Sequence, residues 1–377
     1  MHKRTRFFFV LVSALIFLCF AATLLAESVD KLTVRVMTRN MDAGTDLNYV
    51  TRAADEVAFA EAAYQTYAEV LAFDLPARAA QLAEEIAIAQ PDLVALQEAT
   101  IWQLEGPLGG GEFDQLELLQ AALNAVGAHY RVAVVQTLTD IPVSIPQLFL
   151  NLRFTDRDAI LIRSDLPPGH LDAIGTEMHL YEHLLPFQNP AGEIPILRGW
   201  IAADVKIRGA RFKFVNTHLE TPIPGENFEA TAYLQLLQAM ELVGGLNETE
   251  LPVILAGDFN SDAEAAGIGP DQTLSAAFIS GMGYTDAWHA IYPDEHGFTW
   301  PLFLEDQLNP PPFIAPSTPV ERIDLIFSRG PELLSVEQTG MVPGSSGLFA
   351  SDHVGVMADF QLENHRPDVP IGPPKGR

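Results

Sequence analysis

Six short segments of the sequence carry polar side chains at the ends of apolar runs, where they could meet at one reactive site. Each run is typical of a buried strand, and each polar residue falls where that strand would leave the core. Carboxylates, amides and imidazoles can together bind a divalent cation, activate water and stabilise the charge on a phosphate. The residues concerned are Asn40, Asp42, Glu98, Asn216, His218, Asp258, Asn260, Asp324, Asp352 and His353.

Spacing adds to residue type in two of these segments. In VILAGDFNSD, Asp258 and Asn260 stand two apart after an apolar run, so both side chains lie on the same side of an extended chain. In SDHVGVMADF a carboxylate directly precedes the imidazole of His353. Asp324 lies inside the apolar ERIDLIF, where an acid needs a partner that His353 can supply. A single such residue is more simply a turn or helix-cap residue, and the joint occurrence is what favours a site.

The ordered set of segments resembles the endonuclease/exonuclease/phosphatase superfamily, which includes deoxyribonuclease I, abasic-site endonucleases, inositol polyphosphate 5-phosphatases and bacterial sphingomyelinases. The matching segments are RNMD, PDLVALQE, VNTHL, LAGDFNSD, RIDLIF and SDHVGV, which run from about residue 33 to 361. The resemblance implies an α/β (α+β) fold, a four-layer α-β-β-α sandwich with two packed mixed, mainly antiparallel sheets. It places the active site at one edge of these sheets.

The resemblance also implies a metal site. Glu98 would be the principal ligand, with Asn40 and Asp42 beside it and Asp352 assisting. Hard oxygen ligands of this kind suit Mg²⁺, or Ca²⁺ or Mn²⁺.

Five residues would then carry catalysis. Asp258 would align or deprotonate the attacking water, and Asn260 would contact the phosphate. His353, held by Asp324, would serve as general base or as a phosphate-stabilising imidazole. His218 would contact the phosphate or help to protonate the leaving group. The division of labour between the two histidines is left open.

Two further residues are predicted to bind substrate, namely Asn216 and Arg157. Arg157 stands in RDAILIR, where the family usually has a glycine-led strand, and it is either a phosphate contact or a surface partner of Asp156 or Asp158. Some members also place a tyrosine or an arginine from a mid-chain loop on the phosphate. No residue between 138 and 200 is assigned that role here.

The elements that must position these residues follow from the hydrophobic pattern. Many predicted strands follow one another without an intervening helix, which favours antiparallel or mixed sheets over a doubly wound parallel sheet. One domain is predicted at 31–362, followed by a Pro-rich tail at 363–377. Strands are predicted at 31–42, 93–96, 130–136, 158–163, 200–207, 211–217, 252–257, 323–328 and 353–361, helices at 114–126, 227–245 and, interrupted at Pro76, 53–90, and a long loop at 138–150.

The N-terminus predicts export. Residues 1–26 combine a basic start with a nearly continuous apolar stretch, as in a signal peptide or an uncleaved N-terminal anchor, so the body would be secreted or periplasmic, or held to a membrane. The single cysteine, Cys19, lies in this segment, which excludes thiolate metal sites and cysteine nucleophiles from the body. The net charge of −27 disfavours broad, non-specific nucleic-acid binding without excluding a nucleic-acid substrate.

These observations predict an exported, divalent-metal-dependent phosphoesterase that cleaves a phosphodiester or phosphomonoester by in-line attack of water. The substrate remains open among nucleic acid, as for a deoxyribonuclease I-like endonuclease, phospholipid, as for a sphingomyelinase, and small phosphate esters. The aromatic stretch with Phe298, Trp300 and Phe303 is either core, a lining of the substrate cleft or a contact with a lipid surface. We expect a monomer without an obligate protein partner.

Two alternatives of other classes remain. The chain could be a catalytically silent relative that only binds, although every acid and both histidines are retained. The sequence His179-Leu180-Tyr181-Glu182-His183 also matches an inverted zinc-protease pattern. That chemistry requires both histidines on one helix, and Gly175 and Pro186 leave room for only a short one.

Overall fold

The structure is a computed structural model that describes residues 32–363, apart from 46, 48–49, 51–52, 190–191, 224, 226, 265–271, 305–314 and 345. The predicted signal peptide or anchor at residues 1–26 lies outside the described residues, as does the predicted Pro-rich tail beyond Glu363. Within the described part of the chain, no helix has both the length and the apolar character needed to span a bilayer.

Strands dominate the described chain. The strands are β1 Leu32–Asn40, β2 Leu93–Gln97, β3 Ile101–Gly106, β4 Gly109–Asp114, β5 Tyr130–Ile145, β6 Leu150–Arg163, β7 Leu171–Leu180, β8 Leu185–Asn189, β9 Gly192–Ile196, β10 Gly199–Ile207, β11 Ala210–His218, β12 Val253–Asp258, β13 Thr285–Asp286, β14 Phe303–Leu304, β15 Ala315–Pro316, β16 Asp324–Arg329, β17 Glu332–Thr339 and β18 Gly355–Leu362. The helices are α1 Glu56–Ala72, α2 Leu75–Ala89, α3 Gln115–Ala125, α4 Phe228–Leu246, α5 Ser275–Gly281 and α6 Ala287–Ile291, with a 3₁₀ turn at Pro146–Leu148.

Two mixed sheets form the centre of the molecule. The first sheet has the order β17-β18-β1-β2-β6-β3-β4, with β5 paired to the free side of β6, and the second has the order β13-β16-β12-β11-β10-β7. The pairs β1/β2 and β11/β12 are parallel, and the other pairs within these two sheets are antiparallel. The predicted mainly antiparallel architecture is therefore confirmed.

Helices cover the outer faces of both sheets. Side chains of α2 and α3 pack on the outer face of β1, β2 and β6, whereas α4 and α5 pack on the outer face of β10, β11 and β12. A third apolar cluster, which includes Val36, Ala95, Phe214 and Ile254, fills the space between the sheets. The layers are therefore α-β-β-α, as the resemblance implied.

Burial on both faces explains why the central strands are apolar runs rather than alternating sequences. In β2, Leu93 and Ala95 face the core between the sheets, and Val94 and Leu96 face the helices. All four side chains are fully buried, so every position of the strand favours an apolar residue. A polar residue at the end of such a run marks the point where the strand leaves the core.

The predicted loop at 138–150 is wrong. These residues form the second half of β5, a 3₁₀ turn and the first residue of β6, in one long hairpin. Pro142 pairs in register with Arg153. This is possible because β6 is the one strand that pairs with β5 among the described strands, so β5 is an edge strand, where the missing N–H can face outwards. Proline favours a loop in the sequence pattern, because the pairing that makes β5 an edge strand is not visible in the sequence.

Candidate active site

Strand register assembles three of the predicted catalytic residues in one row. His218 ends β11 and lies opposite Asp258 at the end of β12, which in turn lies opposite Asp324 at the start of β16. The close approach of β11 and β12 at this edge requires glycine in GDFN, because a Cβ on Gly257 would lie 2.0 Å from the carbonyl oxygen of Thr217. The sheet itself thus places an imidazole and two carboxylates side by side.

The first sheet contributes an amide and a carboxylate from the ends of β1 and β2. Asn40 Nδ2 donates to Glu98 Oε1 at 3.2 Å and to Asp258 Oδ2 at 3.0 Å, so one side chain joins the two sheets at the site. Glu98 adopts a left-handed φ of 54°, which is uncommon for a residue with a side chain. Backbone conformations of this kind persist where the surrounding structure holds them and are frequent at functional sites.

Asp324 and His353 form a buried pair. His353 Nδ1 lies 2.8 Å from Asp324 Oδ2, and its Nε2 lies 3.9 Å from Asp258 Oδ2. The Arg39 guanidinium, on β1, donates to the backbone carbonyl of His353. The imidazole is therefore fixed at its back by a carboxylate, while Nε2 faces Asp258.

The environments of the two histidines separate their pKa values. Burial alone would lower the pKa of His353, but the charges of Asp324 and Asp352 raise it well above its ordinary value. Burial, followed by the positive charge of Arg198, lowers the pKa of His218 well below its ordinary value. His353 is therefore able to hold a proton at neutral pH, and His218 is neutral.

Two carboxyl groups are also shifted towards neutral pH. Burial raises the pKa of Glu98 to about 7, and burial together with Asp324 raises the pKa of Asp258 to about 6. Carboxylates crowded in this way repel one another, and a bound cation relieves that repulsion.

The oxygen-rich donor set fits a divalent cation. Asp258, Asp324 and His353 each offer a ligand atom, and these atoms lie within 4.8 Å of one another, the one such group found among the described residues. The Oδ1 atom of Asp324 is buried without a hydrogen-bond partner. The carboxylate of Glu98 borders the same space, since Asn40 bonds to both Glu98 and Asp258.

The two remaining predicted metal ligands lie next to this centre. Asp42 adopts a φ of 65° and is buried, with Oδ1 accepting from the Gly44 N–H and Oδ2 unpartnered. Burial and the charge of Asp352 raise its pKa well above the ordinary value. Asp352 accepts a hydrogen bond from Trp300 Nε1 at 2.8 Å and lies 3.8 Å from His353 Nε2.

The three predicted substrate contacts fall at different places. Asn260 is half-buried beside the row, with Nδ2 donating to the Leu219 carbonyl. Arg157 forms an ion pair with Asp114 at 2.5 Å. Asn216 lies fully between the sheets, where its side chain bonds to the Leu96 and Ala159 carbonyls and to Gln97, so it joins the sheets beneath the cleft.

Arg198 is a residue of the site that the sequence patterns missed. It directly precedes β10, and its Nη1 lies 2.8 Å from His218 Nδ1. Because β10 is antiparallel to β11, the start of β10 lies next to the end of β11, where Gly199 pairs with His218. A search for polar residues before strands, as well as after them, would have found it.

The zinc-protease pattern is not supported by the fold. His179 belongs to β7 rather than to a helix, and its ring stacks on Trp200 with centroids 4.0 Å apart. His183 lies beyond the strand, with Nδ1 2.5 Å from Glu241 Oε1. The pattern requires both histidines on one helix. Residues 171–180 form a strand instead, and His183 follows that strand, so the helical spacing that the pattern needs is absent from this described segment.

The aromatic stretch at 298–303 is mainly core. Phe303 is buried against Phe73 and Phe349, and Trp300 is half-buried with its ring 6.4 Å from that of His353. Phe303 therefore belongs to the core, whereas Trp300 lies beside the His353 of the candidate site.

Comparison with known proteins agrees with this geometry. Residues 70–353, more than half of the chain, match the model of the Endonuclease/Exonuclease/phosphatase family. No curated protein sequence matches significantly.

Solved structures share the fold at low sequence identity. An endonuclease/exonuclease/phosphatase from Bacteroides vulgatus has a TM-score of 0.52 and 16% identity, with 88% of this chain and 100% of that chain covered. A humanized D. rerio TDP2 has a TM-score of 0.51 and 18% identity over 87% and 98% of the two chains. D. rerio TDP2 complexed with single strand DNA product has a TM-score of 0.50 and 17% identity, with the same coverage of 87% and 98%. The chain is a member of the endonuclease/exonuclease/phosphatase family.

Proposed function

We propose that this chain is a divalent-metal-dependent phosphoesterase that cleaves a phosphoester bond by in-line attack of water. The observation that carries the proposal is the row of His218, Asp258 and Asp324 at one sheet edge, with His353 paired to Asp324. A silent binding relative would have no need for the buried Asp258 and the half-buried Glu98, whose pKa values are raised to about 6 and about 7, because such carboxylates cost stability.

The side chains divide the chemical tasks. Asp258 faces the Nε2 atoms of both histidines, at 3.6 Å for His218 and 3.9 Å for His353, and is placed to orient the attacking water. The raised pKa of His353 suits it to stabilise the charge on a phosphate oxygen while Asp324 holds its ring. Asn260 borders the same space and can donate to the phosphate after a rotation of its amide.

Mg²⁺ is the cation that this oxygen-rich set suits best, with Ca²⁺ and Mn²⁺ as alternatives. Of the three grouped donors, Asp258 would hold it together with Glu98 and the neighbouring acids Asp42 and Asp352, whereas Asp324 and His353 are engaged with each other. Asn40 would orient the carboxylates of Glu98 and Asp258. When bound, the cation supplies positive charge next to the phosphate and lowers the pKa of water.

Single-stranded nucleic acid is the first substrate to test. The similar D. rerio TDP2 was crystallised with a single strand DNA product. The lipid alternative has lost part of its support because Phe303 is buried in the core. The net charge of −27 still disfavours long, non-specific contacts with a polyanion, which favours recognition of a short segment or an end.

A substrate panel tests the proposal. The full chain is incubated with single-stranded DNA, duplex DNA, RNA, sphingomyelin, inositol phosphates and bis-p-nitrophenyl phosphate, each with Mg²⁺, Ca²⁺, Mn²⁺ or a chelator. We expect hydrolysis of at least one phosphoester that chelator abolishes and that Glu98→Gln reduces by roughly 10²-fold or more. His179→Ala is the matched control and should retain full activity. Chelator-resistant hydrolysis, or no hydrolysis of any member, contradicts the proposal.

A further inference from the structure

The contact between Arg198 and His218 determines where the imidazole carries its proton. Arginine has only N–H donors and no acceptor, so the ring atom that it contacts must supply a lone pair. Arg198 Nη1 lies 2.8 Å from His218 Nδ1, well within hydrogen-bond distance. The neutral ring therefore has its hydrogen on Nε2.

The other face of the imidazole opens on the catalytic row. His218 Nε2 lies 3.6 Å from Asp258 Oδ2 and 4.0 Å from Glu98 Oε1. Both distances are longer than a good hydrogen bond, so the Nε2–H group is still available to a substrate oxygen. His353 has a different partner, because the carboxylate of Asp324 accepts at its Nδ1 and keeps a hydrogen on that atom.

We propose that Arg198 is a positioning residue that fixes His218 as the Nε2–H tautomer, so that His218 donates a hydrogen bond to a phosphate oxygen of the substrate. This assignment rests on the proposed phosphoesterase function. It gives the two histidines different tasks, a fixed donor at His218 and a carboxylate-backed imidazole at His353, from the hydrogen-bond partner of each ring.

The backbone around Arg198 is held tightly enough for this task. The Arg198 carbonyl accepts from the Tyr181 N–H at 3.0 Å, and Thr217 Oγ1 donates to the Gly199 carbonyl at 3.1 Å. A Cβ at Gly199 would lie 2.2 Å from the His179 carbonyl oxygen, so the residue after Arg198 must be glycine for β10 to approach β7 this closely. The segment is therefore fixed on both sides of the guanidinium.

Two buried acids balance the charge of the Arg198 guanidinium without forming a direct hydrogen bond to it. Arg198 lies 3.8 Å from Asp156 Oδ2 and 3.8 Å from Glu220 Oε1, and its side chain is only 12% exposed. These acids attract the guanidinium at a distance longer than a direct hydrogen bond, so the short contact to His218 is its closest polar one among the described residues. A positive charge beside Nδ1 also opposes protonation of that atom, which reinforces the same tautomer.

Ring-nitrogen NMR on the ¹⁵N-histidine-labelled full chain tests the assignment. The His218 signals are identified by their loss in His218→Asn. We expect a protonated, pyrrole-type Nε2 and an unprotonated, pyridine-type Nδ1 in the wild-type protein, both in chelator and with Mg²⁺. In Arg198→Met we expect a mixture of tautomers, and Arg198→Lys, which keeps a donor, should restore part of the wild-type signal. A wild-type His218 with its proton on Nδ1 overturns the proposal.

A double-mutant cycle tests whether Arg198 acts through His218. Arg198→Met should lower kcat by roughly 10- to 100-fold with little change in KM, as for other residues that orient a functional histidine. In the His218→Asn background the same change should have almost no further effect. Arg163→Met, which removes a surface arginine paired with Asp165, is the control and should leave kcat unchanged. Equal losses in both backgrounds, or a rise in KM alone, would show that Arg198 contacts the substrate independently and would overturn the proposal.

The two proposals fail in different ways. The tautomer is read without turnover, so a chain that hydrolyses nothing can still show the fixed Nε2–H ring. Conversely, full phosphoesterase activity with a freely exchanging His218 tautomer leaves the proposed function intact and removes the role of Arg198. If Arg198→Met does not fold, the wild-type spectrum and Arg198→Lys decide the matter.

Discussion

Glu98 and Asp258 carry carboxyl groups that the fold makes hard to ionise. Burial raises the pKa of Glu98 from 4.5 to about 7 and that of Asp258 from 3.8 to about 6. Because the folded state holds the proton more tightly than the unfolded state, the free energy of unfolding falls as the pH rises from about 4.5 to about 7 for Glu98. At neutral pH without metal these groups therefore destabilise the fold in exchange for a cation site.

Replacing Glu98 by glutamine should stabilise the metal-free protein. In chelator at pH 8 we expect Glu98→Gln to raise the Tm by roughly 2–6 °C, since the amide cannot ionise, and the difference should shrink at pH 5. Added Mg²⁺ should raise the Tm of the wild-type protein and have a much smaller effect on the variant. Differential scanning calorimetry measures both, with Glu84→Gln on the exposed face of α2 as control. A variant that melts at or below the wild-type temperature at pH 8 contradicts this reading.

The elements show which parts of the fold are readable from the sequence. Strands such as β2 and β12 were predicted because burial on both faces leaves short apolar runs that end in a polar residue. The second half of β5 was not, since Pro142 is compatible with a strand only at a sheet edge, and edges depend on tertiary pairing. Arg198 was missed for a related reason, because strand direction decides which end of β10 meets the site.

The sequence predicts which residues lie near the candidate site better than it predicts what their side chains contact. Asn216 and His218 stand two apart in β11 and share a face, so the sequence treats them alike. In the structure, His218 lies next to Asp258 and Glu98, whereas Asn216 bonds to carbonyls of the first sheet. Which residues of β11 are covered by the first sheet depends on how the two sheets pack, and the local sequence does not show this.

Asn216 should therefore matter for stability. Asn216→Ala removes three buried hydrogen bonds and leaves the Leu96 and Ala159 carbonyls and the Gln97 amide without this partner. We expect the free energy of unfolding to fall by about 2–4 kcal/mol in urea denaturation. KM should stay within about twofold at a temperature where the variant is folded. The exposed Asn247→Ala is the control. A large rise in KM with unchanged stability would instead support the predicted contact with substrate.

At the scale of the whole molecule, the acidic surface opposes an anionic substrate. The chain has 49 acidic and 22 basic residues, a net charge of −27. Repulsion between exposed charges is screened over roughly 8 Å at physiological salt and over longer distances at low salt. A polyanion should therefore approach the site more easily as the salt concentration rises, the reverse of the usual behaviour of nucleic-acid-binding proteins.

This repulsion predicts an unusual salt dependence. For a single-stranded oligonucleotide at constant free Mg²⁺, we expect kcat/KM to rise between about 20 and 150 mM NaCl. For bis-p-nitrophenyl phosphate, which carries a single negative charge, it should change much less. Steady-state kinetics on both substrates measures the contrast. A steep fall of kcat/KM with salt for the oligonucleotide would indicate a basic track that outweighs the global charge.

The most direct test of the account is the rate of Mg²⁺-dependent hydrolysis of bis-p-nitrophenyl phosphate by the wild-type chain and by Asp258→Asn. Asp258 stands between His218 and Asp324 in the register of the second sheet, accepts from Asn40 and faces the Nε2 atoms of both histidines. We predict that chelator abolishes wild-type hydrolysis and that Asp258→Asn lowers kcat by about 10³-fold or more, with a Tm no lower than that of the wild-type protein. Asp165→Asn, a surface carboxylate paired with Arg163, should keep the full rate. An Asp258→Asn variant that hydrolyses the diester at the wild-type rate would contradict the account.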